Sequence, residues 1–259
     1  EPVQVIPLIL ASEFITGISA AGLHHRVGNV NLSKGTTAFK VAVILSLCSI
    51  IGTIIAVFLT VSISPIIVKS YIAILLFVIG ISNIILIKKD IKMSWLKVSI
   101  LGVIASFNKG ISGGGYGPVV TGGQMLSGLK VKNTVGITAL SESFTCLVGL
   151  ITYISLGSLS GINWPLGIAF MGGALLSVPI SVNIIKIVNE NTLKYMLSII
   201  ILGLSITSFI KIFNIISLHY IWLIFGIIVV AVLLVYYLNR EEKKGFNNNM
   251  NTLEEQGSK

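Results

Sequence analysis

Apolar residues along this 259-residue chain fall in long unbroken runs rather than at the alternating or three-to-four spacing of soluble elements. Seven runs, at roughly 3–23, 38–61, 66–87, 133–156, 164–188, 193–213 and 220–238, reach the ~20 residues that a helix needs to cross a bilayer core. Each predicts a spanning α-helix, because in lipid a helix satisfies its backbone polar groups within one segment. One element departs from the pattern. It is apolar over about 97–112 and 117–128 but is cut by Gly113, Gly114, Gly115, Gly117 and Pro118, residues that break helices. Irregular backbone at membrane depth survives where it is buried in protein or lines a watery cavity, and broken helices of this kind mark binding sites in transporters. The expected fold class is therefore an all-α membrane protein, a multi-span bundle with a Gly-rich broken helix.

Composition narrows this further. The chain is 54% hydrophobic and 10% charged, against ~25% charged in soluble domains, which excludes an ordinary soluble fold. The 18 Lys+Arg against 9 Asp+Glu then read as charges retained on the cytoplasmic side of a membrane, not as a face for nucleic acid. Cys48 and Cys146 lie inside apolar runs and read as small hydrophobes, so no disulfide, metal or cofactor is expected. The chain starts at Glu1 and enters an apolar run without a signal-peptide pattern, and is read as truncated upstream. Residues 240–259 are polar and are expected to form a disordered cytoplasmic tail.

A repeat emerges at an offset of 129, where Ser12, Glu13, Thr16 and Gly28 align with Ser141, Glu142, Thr145 and Gly157. A Ser-Glu-x-x-Thr repeated inside a span points to duplication. The first repeat is then 1–90, lacking its own Gly-rich segment, and the second 91–213, followed by an additional span at 214–239. Charge placement decides what the broken element does. If it crosses, 8 basic residues lie on one side and 9 on the other; if it turns back, 15 lie on one side, only Lys69 and Lys211 on the other, and Lys109 within. The positive-inside rule favours a re-entrant hairpin and puts the loops near Arg26, Lys89, Lys130, Lys186 and Arg240 in the cytoplasm of a cell-membrane protein. The second repeat then enters upside down relative to the first, as in many secondary transporters.

The candidate chemistry gathers at the break. Consecutive glycines let backbone N–H groups converge on an anion, and a half-helix starting after them points its positive end at the same place. Gly113, Gly114 and Gly115, with Asn108, Lys109, Ser112, Tyr116 and Thr145, form the expected substrate-binding set. Against this, the glycines alone could serve tight helix crossing, and Lys109 could snorkel to an interface. Glu13 and Glu142 are the acidic residues deep within spans, and either bind coupling protons or pair with Lys109. Thr16 and Thr145 could bond substrate or, as membrane threonines commonly do, backbone. His24, His25 and Arg26 read as interfacial anchors, and Trp95, Trp164 and Trp222 as belt residues. Gly110-Ile111-Ser112-Gly113 matches the Gly-x-Ser-Gly of rhomboid-type proteases, but such a serine needs a base, and His24, His25 and His219 all fall near span ends. An enzyme is not expected.

The run Lys109-Gly110-Ile111-Ser112-Gly113-Gly114-Gly115-Tyr116-Gly117-Pro118, then Val135-Gly136-Ile137-Thr138 and Ser141-Glu142-Ser143-Phe144-Thr145, resembles the second half of the sulfite exporter TauE/SafE family. The segment from Ala11 to Asn31 resembles the end of that family's first half. The likeness covers most of residues 1–213, and departs in the absent first Gly-rich segment and the span after Ile212. It implies a permease for small sulfur-containing anions such as sulfite, thiosulfate or organosulfonates. An anion channel, or an uncoupled anion-binding membrane protein, is the alternative.

Overall fold

The computed structural model describes residues 2–59, 64–87, 89, 91–112, 114–156 and 164–213. Among them it places eight helices and no strand: α1 (Pro2–Arg26), α2 (Thr37–Leu59), α3 (Pro65–Ile85), α4 (Trp95–Ser112), α5 (Tyr116–Leu126), α6 (Val131–Ser155), α7 (Trp164–Ile187) and α8 (Glu190–Phe213). All except α4 and α5 are long and apolar enough to cross a membrane. These six match six of the seven expected spans to within three residues at each end. The run at 220–238, the tail, Trp222 and Gly113 lie outside the described residues, as does the Trp164 side chain.

The ends of the helices follow from local chemistry. Thr36 Oγ1 accepts from the Phe39 amide at 3.2 Å and caps α2, Pro65 opens α3 where its missing N–H costs nothing, and Asn189 Oδ1 caps α8 through the Thr192 amide at 2.7 Å. The exterior is apolar, with Leu47, Ile51, Phe58, Leu176 and Ile187 fully in view. Ser49, Thr53, Ser106, Ser143 and Ser198 are instead buried inside. Small hydroxyl residues between close-packed helices are the arrangement expected when lipid, not water, surrounds the bundle.

The offset of 129 also runs through the helix boundaries. α1 and α6 are both 25 residues long, and both ends of α6 follow those of α1 by the same 129 positions. The ends of α7 follow those of α2, and those of α8 follow those of α3, to within four residues of that shift. α1 packs on α6, α3 packs on α8, and α2 lies on α6 as α7 lies on α1, a pattern that survives exchange of the halves. The equivalent helices α1 and α6 run antiparallel. Near one end Gly136 abuts Val30 and His24, and further in Gly17 abuts Ser143 and Ala139.

The pair α4–α5 stands outside this repeat and folds back on itself. The Ser94 amide donates to Ser127 O at 3.2 Å, which brings the segment before α4 beside the end of α5. Its mouth is closed by Gly128, held at φ 86°, where an added Cβ would lie 2.2 Å from Ile91 O. No other residue fits that turn. The hairpin is seated against α2, α3 and α6.

Candidate functional site

Three elements meet at the depth of the hairpin's tip. Glu13 is the twelfth residue of α1 and Glu142 the twelfth of α6, while Lys109 lies in the last turn of α4. At 1.5 Å per residue each sits roughly 17–21 Å from the helix end at the hairpin's mouth, near mid-bundle. The Lys109 ammonium is 1% exposed and donates to both carboxylates, Glu13 Oε2 and, at 2.9 Å, Glu142 Oε1. One cation between two carboxylates carries a formal charge of −1. Cys146 Sγ lies 3.5 Å from Glu13 Oε2, and Tyr153 donates to Gly110 O at 3.1 Å, holding the end of α4 in place.

This geometry changes the reading of Lys109. A lysine one turn before the glycines was expected to meet substrate or to snorkel, and the two glutamates either to bind protons or to pair with it. Both glutamates occupy it, which removes the snorkelling alternative: a side chain bound at mid-bundle does not reach an interface. Lys109, the buried member, is tolerated at this depth because both carboxylates, themselves partly exposed, pair with it.

Around the cluster, the other expected residues divide. Asn108 is fully buried, and neither its Oδ1 nor its Nδ2 has a hydrogen-bond partner among the described residues. Buried amides of this kind are rare in folded proteins and call for an explanation. Tyr116 is fully buried too, and its hydroxyl faces the hydroxyls of Ser141 and Thr145. Gly115 adopts φ 78° at the start of α5, a conformation favouring glycine, and Glu142 Oε2 lies 3.6 Å from where a Gly117 side chain would begin. The carboxylate thus occupies the positive end of α5, the place an anionic ligand would take. Ser112 and Thr145 are occupied otherwise: Ser112 Oγ donates to Asn108 O at 2.7 Å, and Thr145 Oγ1 to Ser141 O at 2.9 Å. Thr16 Oγ1 donates to Ser12 O in the same way. Gly114 leaves open space where a side chain would stand.

Sequence reasoning missed a buried polar seam between α5 and α6. Thr121 and Thr138 share a hydrogen bond of 3.1 Å, and Gln124 Nε2 donates to Thr138 Oγ1 at 2.9 Å, with Gln124 Oε1 left unpartnered. Thr138, Ser141 and Thr145, at three- and four-residue spacing, put hydroxyls on one face of α6 from the cluster toward the hairpin's mouth; that spacing was the available signal. His24 is not an interfacial anchor. It is 2% exposed and its Nδ1 meets the Asn29 amide at 2.9 Å, while the same amide donates to Val182 O at 3.0 Å and ties α1 to α7. Among the described residues no group of three or more His, Cys, Asp or Glu is placed to hold a metal.

The family model described as Sulfite exporter TauE/SafE matches residues 1–208, most of the chain and all of the site. No curated protein and no solved structure matches it.

Proposed function

Since the chain belongs to the sulfite exporter TauE/SafE family and is a multi-pass membrane transporter, we propose that it is a secondary permease for small sulfur-containing oxyanions, coupled to protons through Glu13 and Glu142. The observation that carries this reading is the Lys109 ammonium held between two carboxylates beside a buried asparagine with no hydrogen-bond partner among the described residues.

A cluster of net charge −1 repels an anion, so Lys109 is available to substrate only when a carboxylate lets go. A carboxylate freed in a low-dielectric interior is stabilised by taking up a proton. Anion and proton therefore enter the site together, the anion replacing Glu142 at the start of α5 and collecting donors from Lys109, Asn108 and Tyr116. When the anion leaves, the carboxylate returns to Lys109 and releases its proton on that side. Direction is set by the gradients, and the coupling is symport of anion and proton.

We place the two halves as inverted repeats and the α4–α5 pair as a re-entrant hairpin, with the basic mouth in the cytoplasm. The antiparallel α1 and α6 and the return of Ser127 to Ser94 support this. Labelling of Lys92→Cys and Lys130→Cys by an impermeant thiol reagent should occur from the cytoplasmic side for both, and labelling from opposite sides removes the hairpin and the inversion together.

The direct test is uptake by proteoliposomes of labelled sulfite, thiosulfate and a small sulfonate, with acetate as control, with and without an inward proton gradient. Saturable uptake of a sulfur anion, accelerated by the gradient, is expected. Uptake of acetate alone sinks the substrate class; sulfur-anion flux indifferent to the proton gradient sinks the coupling and leaves a channel.

A further inference from the structure

At the mouth of the hairpin, far from Lys109, the ends of α3 and α5 and the starts of α6 and α8 enclose a cavity of about 250 Å³. Lys89, Lys130 and Lys194 line it, with Asn83 and with Glu190 as the one carboxylate among the described lining residues. Among the described residues only Lys109 makes ion pairs, so Glu190 neutralises none of the three lysines by direct contact. The described residues that line the cavity, three lysines against one glutamate, carry a formal charge of +2.

The surroundings reinforce that charge. Lys130 stands at the start of α6, whose first amides receive no side-chain cap, so a long helix presents its positive end beside the ammonium. The walls are built, not incidental. Gly128 is locked against Ile91 O, and Asn83 Nδ2 donates to Gly122 O at 3.2 Å, fastening α3 to α5. Leu86 and Leu126 add apolar surface beside the lysines. Three lysines lining one half-open volume can hold a compact, multiply charged oxyanion as point charges, and basic pockets between membrane helices take anionic headgroups.

We propose that this cavity binds a phosphate group, supplied either by the headgroup of an anionic lipid or by a free phosphate. The site is separate from the transport site and uses none of its residues.

The experiment measures thermal protection of the purified full-length protein in neutral detergent. The probes are phosphatidylglycerol, phosphatidylcholine, inorganic phosphate and sulfite, applied to the parent and to a Lys89→Gln/Lys130→Gln/Lys194→Gln variant. Protection by phosphatidylglycerol or phosphate, with apparent affinity falling at least about tenfold in the variant, is expected. Phosphatidylglycerol acting alone identifies a lipid headgroup, and inorganic phosphate acting alone identifies a soluble ligand; either supports the assignment. Equal affinity in the variant, protection by neither phosphate source, or protection by sulfite alone overturns it. Should the triple variant fail to fold, Lys89→Gln and Lys194→Gln separately carry the same test.

Discussion

α1 and α6 have the same length and the same Ser-Glu-x-x-Thr at the same depth, yet Glu13 keeps 38% of its side chain exposed and Glu142 only 22%. The equivalent helices α2 and α7 differ more: 44% of the spanning window of α2 is buried and 11% of that of α7. One element accounts for both differences. The α4–α5 hairpin packs along α2 and places the start of α5 over Glu142, while no described element stands in the same relation to α7 and Glu13. What distinguishes the halves is not the repeated helices but the hairpin seated against one of them.

The most severe way to test this asymmetry is to remove the cation both halves share. Lys109→Met leaves two carboxylates facing each other and should cost about 1–3 kcal/mol, less than the ~3–5 of a fully buried pair because solvent reaches both carboxylates in part, read as a lowered melting temperature and lost monodispersity in detergent. Adding Glu13→Gln and Glu142→Gln together should restore most of it, and Glu142→Gln alone should restore more than Glu13→Gln because its carboxylate is the more buried. A Lys109→Met protein as stable as the parent would mean that the carboxylates do not depend on the lysine.

A smaller effect separates the glutamates in transport. Glu142→Gln should lose about tenfold or more of the acceleration by a proton gradient, equivalent to about 1.4 kcal/mol, and Glu13→Gln should lose less, since water already reaches it. Equal losses would show that the hairpin's cover over Glu142 is irrelevant to coupling, and full gradient dependence in both variants would end the proton role.

The smallest effect compares α2 with α7. An added Cβ at Gly52 would stand 2.6 Å from Val103 O and 2.9 Å from Ser106 Cβ, whereas at Gly173 it would meet nothing within 4 Å. Gly52→Ala should destabilise by about 1–3 kcal/mol by prising α4 from α2. Gly173→Ala should gain about 0.5–1 kcal/mol from helix propensity alone. Thermal melts that show no difference between the two would mean the hairpin is not seated on α2.

Much of the architecture was legible in the chain because membrane helices announce themselves locally. A run of apolar residues fixes a span without reference to anything distant, and Gly113 to Pro118 fix a break in the same way. The duplicated Ser-Glu-x-x-Thr was also readable, and with it the equal depth of Glu13 and Glu142. Which alternative the glutamates would take was not. The lysine that both of them hold lies 96 residues from one and 33 from the other, so pairing stood beside proton binding as an open choice. Which hydroxyls turn to backbone, as at Thr145, and which align into a seam, as at Thr121 and Thr138, depended on how α5 lies on α6. The sequence by itself determined the helices and the break between α4 and α5, since these follow from interactions within a few residues. The meeting of three charges at one point, the buried Asn108 and Tyr116 beside it, and the inequality of α2 and α7 were decided by tertiary structure, because only the packing of whole helices brings such distant side chains within reach.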